Sequence, residues 1–229
     1  MNVSGKSAKQ STAARQAGLI EAALRLAAQR SPAGITTGDL AQAVGITQGA
    51  VFRHFASKES VWLAVLDWVT DRLLARLRAA ADAELASTQI AAPLVALQAV
   101  FLAHVDFVVA YPGVPRVIFQ ELQQAQDTAL KARVRGLLQQ YRQLLMGLLQ
   151  RAQAQQLLAP GTDLQAAALL FIGSVQGLVM QSLLSGDVAA MTGQAPGVFA
   201  LYRRALTATV ATTPTTPAQP PFATKKETP

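Results

Sequence analysis

The stretch "TTGDLAQAVGITQGAVFRHFASKES", residues 36–60, contains several helix start and stop signals in a short distance. Two short helical patterns meet at Gly45-Ile46, and a third begins directly after the aromatic and basic cluster at 52–55. Thr47 and Ser57 are residue types that cap helix N-termini, and only ten positions separate them. A chain that starts helices this close together must turn sharply between them. The stretch therefore predicts a compact module of short helices.

The composition favours helices along the whole chain. The 229 residues are 51% hydrophobic but only 6% aromatic. Ala, Leu and Gln are abundant, and these residues favour helix over strand. No alternating pattern of convincing length predicts a strand. We therefore expect an all-α protein with an N-terminal three-helix module and a larger helical domain after it.

Basic charge is concentrated in the first quarter of the chain. The formal net charge is +7, and residues 1–60 hold seven basic and three acidic residues, a net of +4. A basic N-terminal module indicates a polyanionic partner such as nucleic acid. The chain has no cysteine, so disulfides, thiolate metal sites and cysteine nucleophiles are excluded. We expect a cytoplasmic protein.

Catalytic motifs are missing from the sequence. The chain has two histidines, His54 and His104, and its carboxylates occur singly, without metal-ligand or paired-carboxylate spacing. It contains no glycine-rich phosphate loop and no nucleophile elbow. The sequence therefore predicts no enzyme activity, no metal site and no cofactor.

A charge-free stretch of 21 residues, 164–184, is long enough to cross a bilayer. Five Gln and Ser residues are spread along and around it, and aromatic belts do not flank it. We interpret the stretch as a buried helix of a helical bundle and expect no membrane association.

Capping and breaking signals divide the chain into helices. The first ends at "SPAG", residues 31–34. We expect Thr37 to cap the second helix, Gly45 to end it, Thr47 to cap the third and Ser57 to cap a fourth that runs to about Leu85. Later helices are predicted near 91–110, 113–124, 127–156, 163–185 and 195–210.

A short helix, a glycine turn and a second short helix in a basic module form a helix-turn-helix pattern. The second helix would bury Val51 and Phe55 and offer Gln48 to a base edge. Threonine and serine at helix starts would cap them with or without DNA, so a purely structural role stays open for these residues. We assign nine residues to DNA contacts: Thr37, Thr47, Gln48, Gly49, Ala50, Phe52, Arg53, His54 and Lys58.

The same stretch resembles the TetR family of transcriptional repressors over roughly residues 13–62. The resemblance is carried by Thr36-Thr37, "LAQAVGI" at 40–46, "FRHF" at 52–55 and "SKE" at 57–59. The family usually has a tyrosine, whose hydroxyl commonly reaches a phosphate, where this chain has Phe52. Gly38 also cannot read a base as a basic side chain does in some members. We therefore expect base reading to depend on Thr47, Gln48, Gly49, Ala50 and Arg53.

Composition and the resemblance together predict a division of the chain into four parts. We expect a disordered basic arm at 1–10 and a helix-turn-helix domain at 11–56. An effector-binding and dimerisation domain would follow at 57–210. The Pro/Thr-rich end, 211–229, is predicted to be a disordered tail.

Residues 130–148 place apolar side chains at steps of four and three, as in a coiled-coil seam. The resemblance implies a homodimer in which this helix and the helix at 163–185 form a four-helix interface. Small residues of the second helix would permit the close crossing. The interface is assigned to Leu137, Leu144, Leu148, Gly173 and Gly177, and the alternative of a buried helix in a monomer core stays open.

The resemblance also implies a small-molecule pocket among the later helices. The candidates are mostly aromatic, with one histidine and one tyrosine, which suits a hydrophobic or amphipathic effector. They are Trp62, Trp68, Phe101, His104, Phe107, Phe119 and Tyr141, and for each of them simple core packing stays open. We expect a ligand-responsive repressor that binds a double-stranded DNA operator. The alternative is a non-sensing DNA-binding protein, architectural or division-controlling, on the same scaffold.

Overall fold

The computed structural model describes residues 12–86 and 90–208. Throughout these ranges the regular structure is helical, as expected for an all-α protein. The predicted basic arm at 1–10 and the tail at 211–229 lie outside the described residues. The helices are α1 Thr12–Gln29, α2 Thr37–Ala43, α3 Gln48–Phe52, α4 Lys58–Leu85, α5 Ala92–Ala110, α6 Gly113–Leu122, α7 Ala129–Ala154, α8 Leu164–Ser185 and α9 Ala190–Thr207, with a 3-10 turn at Pro32–Gly34 between α1 and α2.

Most of the predicted caps lie where local chemistry requires them. The Thr47 hydroxyl accepts a hydrogen bond from the Ala50 N–H, and Ser57 forms a reciprocal capping box with Ser60. Gly45 has a φ of +69°, a conformation that glycine adopts without strain, and it ends α2. These caps set the short spacing of α2, α3 and α4.

The cap of α2 is Thr36, so the expected cap at Thr37 is wrong. The Thr36 hydroxyl accepts from the Asp39 N–H at 3.1 Å, and the Asp39 carboxylate accepts from the Thr36 N–H at 2.7 Å. Arg30, 2.9 Å from Asp39, holds the pKa of that carboxyl well below its usual range. A carboxylate three residues after Thr36 completes the capping box, and this decides between the two adjacent threonines.

Helix α9 begins at Ala190, earlier than the predicted start near 195. The Asp187 carboxylate accepts from the Ala190 N–H at 3.0 Å and satisfies one of the free donors of the first turn. Pro196 therefore lies inside the helix. The aspartate signal upstream decides the start of α9.

One continuous hydrophobic core holds the helices together. In the N-terminal module, Leu19, Leu40 and Val51 are fully buried between α1, α2 and α3. In the second domain, aromatic rings from α5, α8 and α9 form one cluster around Phe171. Among the described helices, α5 and α8 are long and apolar enough to cross a membrane, and both contribute buried residues to this bundle.

The two domains meet where α6 packs against α1. A Cβ atom added to Gly113 would overlap the Leu24 carbonyl oxygen, so only glycine permits this approach of the two backbones. Further along α6, the Gln120 side-chain oxygen accepts from the Ala33 N–H at 2.7 Å. The Lys58 ammonium donates to the Ala33 carbonyl at 2.7 Å. The 3-10 turn is thereby tied both to α6 and to the start of α4.

Candidate DNA-binding surface and effector cavity

Helix α3 presents its N-terminal end and buries its opposite face. Thr47, Gln48 and Gly49 are exposed, and Ala50 is half-buried. Val51 is fully buried and anchors the helix to the module core. Phe52 and Arg53 are exposed at the far end. This is the arrangement that a recognition helix needs, because its first residues can approach base edges while one side packs on the module.

Gln48 is held within the chain by a hydrogen bond that the sequence did not predict. Its Nε2 donates to the Thr37 hydroxyl at 2.8 Å. Thr37 is buried, with 9% of its surface exposed, so it supports Gln48 from below and offers little surface of its own. The contact orients the glutamine side chain across the gap between α2 and α3. The assignment of Thr37 and Gln48 to DNA remains a prediction.

His54 and Lys58 lie beside α3 and are tied to neighbouring elements. His54 is half-buried, and its backbone carbonyl accepts from the Gln16 side chain of α1 at 3.1 Å. Its Nδ1 is buried and has no hydrogen-bond partner among the described residues. Lys58 is half-buried and bonds Ala33. Gln16 and Ala33 could not be predicted from local sequence, since they lie 38 and 25 residues away from their partners.

A cavity of about 70 Å³ lies between α4, α5, α6, α7 and α8. Four of the seven residues assigned to the effector pocket line it, namely His104, Phe107, Phe119 and Tyr141. Most of its remaining walls are aliphatic and were not assigned to the pocket from sequence; they include Val108, Ile118, Leu138, Ile172, Val175 and Val179. Aliphatic residues in the sequence do not distinguish a cavity wall from a filled core, because both need the same side chains. The cavity has room for a few water-sized groups.

Trp62, Trp68 and Phe101 do not line this cavity, and their assignment to it is corrected. Trp62 is buried near the start of α4. Trp68 packs edge-on against Tyr111 with ring centroids 5.0 Å apart. Phe101 is fully buried and packs against Phe171 of α8, with ring centroids 5.2 Å apart. The sequence placed these rings on the correct helices, but a helix has several buried faces and only one adjoins the cavity.

His104 and Tyr141 form the polar feature of the cavity wall. The His104 Nδ1 lies 3.0 Å from the Tyr141 hydroxyl, and the two rings meet edge to face at 5.2 Å. Burial lowers the pKa of His104 to about 4 and raises the pKa of Tyr141 well above its ordinary value. Both side chains are therefore neutral at pH 7, so the cavity offers hydrogen bonding without charge.

We expect His104 to make the protein less stable as the pH falls from about 6.5 to about 4. The unfolded chain takes up a proton on His104 below about 6.5, whereas the folded protein takes it up only near the folded pKa of about 4. The stabilisation is therefore complete above about pH 6.5 and is lost across that window. His104→Gln keeps a partner for Tyr141 and cannot titrate. Urea unfolding at pH 7.5 and 5.0 should show a smaller loss for the variant, and equal losses would contradict this.

The seam on α7 faces the interior of its own subunit. Leu137 and Leu148 are each 3% exposed, and Leu137 lines the cavity, so both are covered by their own subunit. Their assignment to a dimer interface stays a prediction. Leu144 is half-buried. Coiled-coil spacing needs only an apolar partner, and here α4, α5 and α8 of the same chain supply it.

The exposed apolar surface lies on α8 instead. Gly173 and Gly177 are exposed, and an added Cβ atom at either would have no neighbour within 4 Å. Leu201 of α9 is also exposed, at 60%. Large apolar side chains on the same helix as the glycines are Leu169, Leu170, Met180 and Leu184, each between 47% and 75% exposed. We call this α8/α9 set the apolar face. A surface of this kind marks an interaction site.

Comparison with known protein families decides the identity of this architecture. Residues 19–65 match the family model of bacterial regulatory proteins of the tetR family. Residues 119–195 match the model of the tetracyclin repressor-like C-terminal domain, and together the two models span more than half of the chain. The chain belongs to the TetR family. Members are non-enzymatic DNA-binding transcription regulators, so this chain is a DNA-binding regulator and not an enzyme.

Curated relatives of this TetR-family chain include nucleoid occlusion factor SlmA from two bacteria. The protein from Haemophilus ducreyi is 27% identical over 130 residues, which are 56% of this chain and 61% of the relative. The protein from Shewanella amazonensis is 33% identical over 103 residues, 45% of this chain and 49% of the relative. The matches thus span about half to three fifths of these relatives.

Solved structures of TetR-family regulators share the fold. The fatty acid degradation regulator FadR from Bacillus halodurans is 18% identical, with a TM-score of 0.69 over 85% of this chain and 96% of that one. The ketosteroid regulator KstR2 of Mycobacterium tuberculosis is 22% identical, with a TM-score of 0.68 over 90% and 100%. FadR from Bacillus subtilis, solved with stearoyl-CoA, is 16% identical, with a TM-score of 0.69 over 83% and 98%.

Proposed function

We propose that this protein is a cytoplasmic, ligand-responsive repressor that a hydrophobic or amphipathic small molecule releases from its operator. The apolar cavity between α4, α5, α6, α7 and α8 carries the proposal. Its walls are almost entirely apolar, and the neutral pair His104 and Tyr141 supplies a small number of polar atoms. Specific small-molecule sites combine these properties, whereas a purely structural domain gains stability by filling such a space.

The operator-binding half of the proposal rests on α3 and its surroundings. Two copies of the module would insert α3 into successive major grooves of a two-fold symmetric site. Gln48 is the candidate for reading a base, since it is exposed and already oriented by Thr37. Lys58 would leave the Ala33 carbonyl to meet a phosphate. The two residues should therefore affect binding differently.

We expect Gln48→Ala to relax base preference at one position of each half-site by about 1–3 kcal/mol. Lys58→Ala should weaken binding to all sequences alike and reduce the salt slope by about one unit. Selection from a random duplex library, followed by titrations at several salt concentrations, measures both effects. An unchanged preference in Gln48→Ala would mean that Gln48 does not read a base.

The sensing half of the proposal predicts that filling the cavity removes the ligand response. Val175 of α8 is buried and lines the cavity, so Val175→Phe should occupy ligand space. Val198 of α9 is half-buried and does not line the cavity, so Val198→Phe is the matched control. The experiment measures DNA release by a panel of apolar and amphipathic compounds with each variant.

The expected result is normal DNA binding by both variants, with release lost only in Val175→Phe. By linkage, a compound that weakens DNA binding about tenfold must itself bind the DNA complex about tenfold more weakly. If no compound binds the wild-type protein, or if Val175→Phe responds as the wild type does, the sensor role is wrong. FadR from Bacillus subtilis, solved with stearoyl-CoA, is a precedent for an amphipathic ligand on this fold.

A second candidate function is division control without a small-molecule effector. The similarity to nucleoid occlusion factor SlmA favours it. The two functions differ in where the protein sits on a chromosome. A repressor should occupy one or a few promoter sites, whereas a nucleoid occlusion factor should occupy many dispersed ones. Immunoprecipitation of bound chromosomal DNA would discriminate between them.

A further inference from the structure

A groove lies directly beside the effector cavity, at the junction of the two domains. Its walls come from Ser31 and Pro32 next to the 3-10 turn, from α6, and from Met180 and Leu183 of α8. Its volume is about 330 Å³. Phe119 of α6 is half-buried and lines both the groove and the cavity. Phe119 is therefore a wall that the largely apolar cavity shares with the more open and more polar groove.

Arg116 on α6 supplies the charge of this groove. Its Nε is buried and has no hydrogen-bond partner, and the guanidinium has no ion pair among the described residues. No acidic side chain lines the groove with it. Arg116 as a whole is half-buried, but a buried donor atom without a partner is costly. An anion in the groove would satisfy it, and a guanidinium is well suited to bind a carboxylate or phosphate.

The opposite side of the cavity offers a weaker alternative. A cleft between α4 and α7 is lined by Asp67 and Asp71, and Leu137 is shared between this cleft and the cavity. Asp67 is already paired with Arg133 at 3.0 Å. The charge of the cleft is therefore partly neutralised within the chain, whereas that of Arg116 is not. The observations favour a ligand with a negative head group over one with a positive head group.

We propose that the effector is an anionic amphiphile, with its apolar part in the cavity and its anionic head at Arg116 in the junction groove. The inference rests on the proposed sensor function and names the chemical class of its ligand. Phe119 must rotate or shift for one molecule to occupy both spaces. Phe119 is half-buried at the shared wall, and side-chain rotation is a fast, local motion.

The groove also explains how ligand binding in the second domain affects the DNA-binding module. Gln120 lines the groove one helical turn after Arg116 and accepts the Ala33 N–H. The carbonyl of the same residue, Ala33, accepts from Lys58 at the start of α4. An anion drawn to Arg116 competes for the groove around Gln120 and shifts the 3-10 turn, and with it the start of α4, away from the position that DNA binding requires. The ligand thereby acts on Ala33. The hydrogen-bond partner of Ala33, Lys58, is a predicted phosphate contact.

Three probes with the same chain and different heads test the proposal: octanoate, 1-octanol and octyltrimethylammonium, each at pH 7.5. Calorimetry or tryptophan fluorescence gives the affinity of each probe for the full-length protein. We expect octanoate to bind about 10–100-fold more tightly than 1-octanol, the range for a hydrogen bond to a charged group. Tighter binding of the cation, or equal binding of octanoate and octanol, would overturn the proposal.

Variants locate the head group. Arg116→Gln should lower the octanoate affinity about 10–100-fold and leave octanol binding unchanged, because only the charged contact is lost. Arg116→Lys should retain part of the preference. Arg142→Gln, an exposed arginine of α7, is the matched control and should change neither affinity. An equal loss for both probes in Arg116→Gln would assign Arg116 a structural role and refute the inference.

Failure of this inference is distinguishable from failure of the sensor function. If octanoate and 1-octanol bind equally well and both release DNA in the wild type and in Arg116→Gln, the sensor function stands and the anionic head group is wrong. If none of the three probes binds and Val175→Phe behaves as the wild type does, both are wrong. Thermal unfolding of Arg116→Gln checks that the variant is folded.

Discussion

Gly177→Leu is expected to convert the protein to a monomer and to lower operator affinity by about 10²–10⁴-fold. This is the factor by which the affinity of two linked binding modules exceeds that of a single module. The reason is the apolar face on α8 and α9, where exposed glycines lie among exposed leucines. A leucine at Gly177 would hold two copies of α8 apart. Within one subunit it meets nothing, since an added Cβ atom has no neighbour within 4 Å. Leucine also has a higher helix propensity than glycine, so the substitution should not disrupt α8.

The matched control for Gly177→Leu is Gly136→Leu. Gly136 is a helical glycine of α7 where an added Cβ atom also has no neighbour within 4 Å, and it lies beside α4, away from the apolar face. Sedimentation should show a dimer for the wild type and for Gly136→Leu, and a monomer for Gly177→Leu. Circular dichroism should show similar helix content in all three. A dimeric Gly177→Leu would place the interface on another surface.

Phe171→Ala is expected to lower the free energy of unfolding by about 3–5 kcal/mol, the range for deleting a buried phenyl ring. Phe171 is fully buried in α8. Its ring lies 5.2 Å from Phe101, 5.5 Å from Tyr202 and 6.3 Å from Tyr141, measured between centroids. Rings from α5, α7 and α9 all pack against Phe171. None of these helices can move into the space left by the ring without losing its contacts with the other two. The cavity cost should therefore be near the upper end of the range.

Phe52→Ala is the matched control for Phe171→Ala. Phe52 is 48% exposed in α3, and its removal should change the free energy of unfolding by no more than about 0.5 kcal/mol. Urea unfolding at a fixed protomer concentration measures both, because dimerisation adds to the apparent stability. A loss below about 1 kcal/mol in Phe171→Ala would mean that the aromatic cluster repacks, contrary to the close packing expected of interiors.

Local chemistry made the N-terminal module predictable. Thr47, Ser57 and Gly45 act on backbone groups within about four residues of themselves, so their effects can be read from adjacent letters. The one error, Thr37 for Thr36, came from two adjacent residues of the same type. The Asp39 carboxylate three residues after Thr36 resolves it.

The apolar positions of α7 show where such inference ends. Periodicity predicted a helix there and predicted that Leu137 and Leu148 would be covered, and both statements agree with the structure. It did not say what covers them. A neighbouring helix and a second subunit present the same apolar surface, and burial by either stabilises equally per unit area. The same ambiguity explains why Phe101, predicted to line the cavity, packs in the aromatic cluster instead.

The sequence by itself determined the helical class, most caps and the turn of the helix-turn-helix, and the family, because each depends on residues close together along the chain. The tertiary structure alone decided which apolar faces line the cavity, fill the core or stay exposed. It also placed Gln120 against Ala33, 87 residues away, and Gly113 against Leu24. These contacts depend on how whole helices pack, and side-chain periodicity specifies a buried face without specifying its partner.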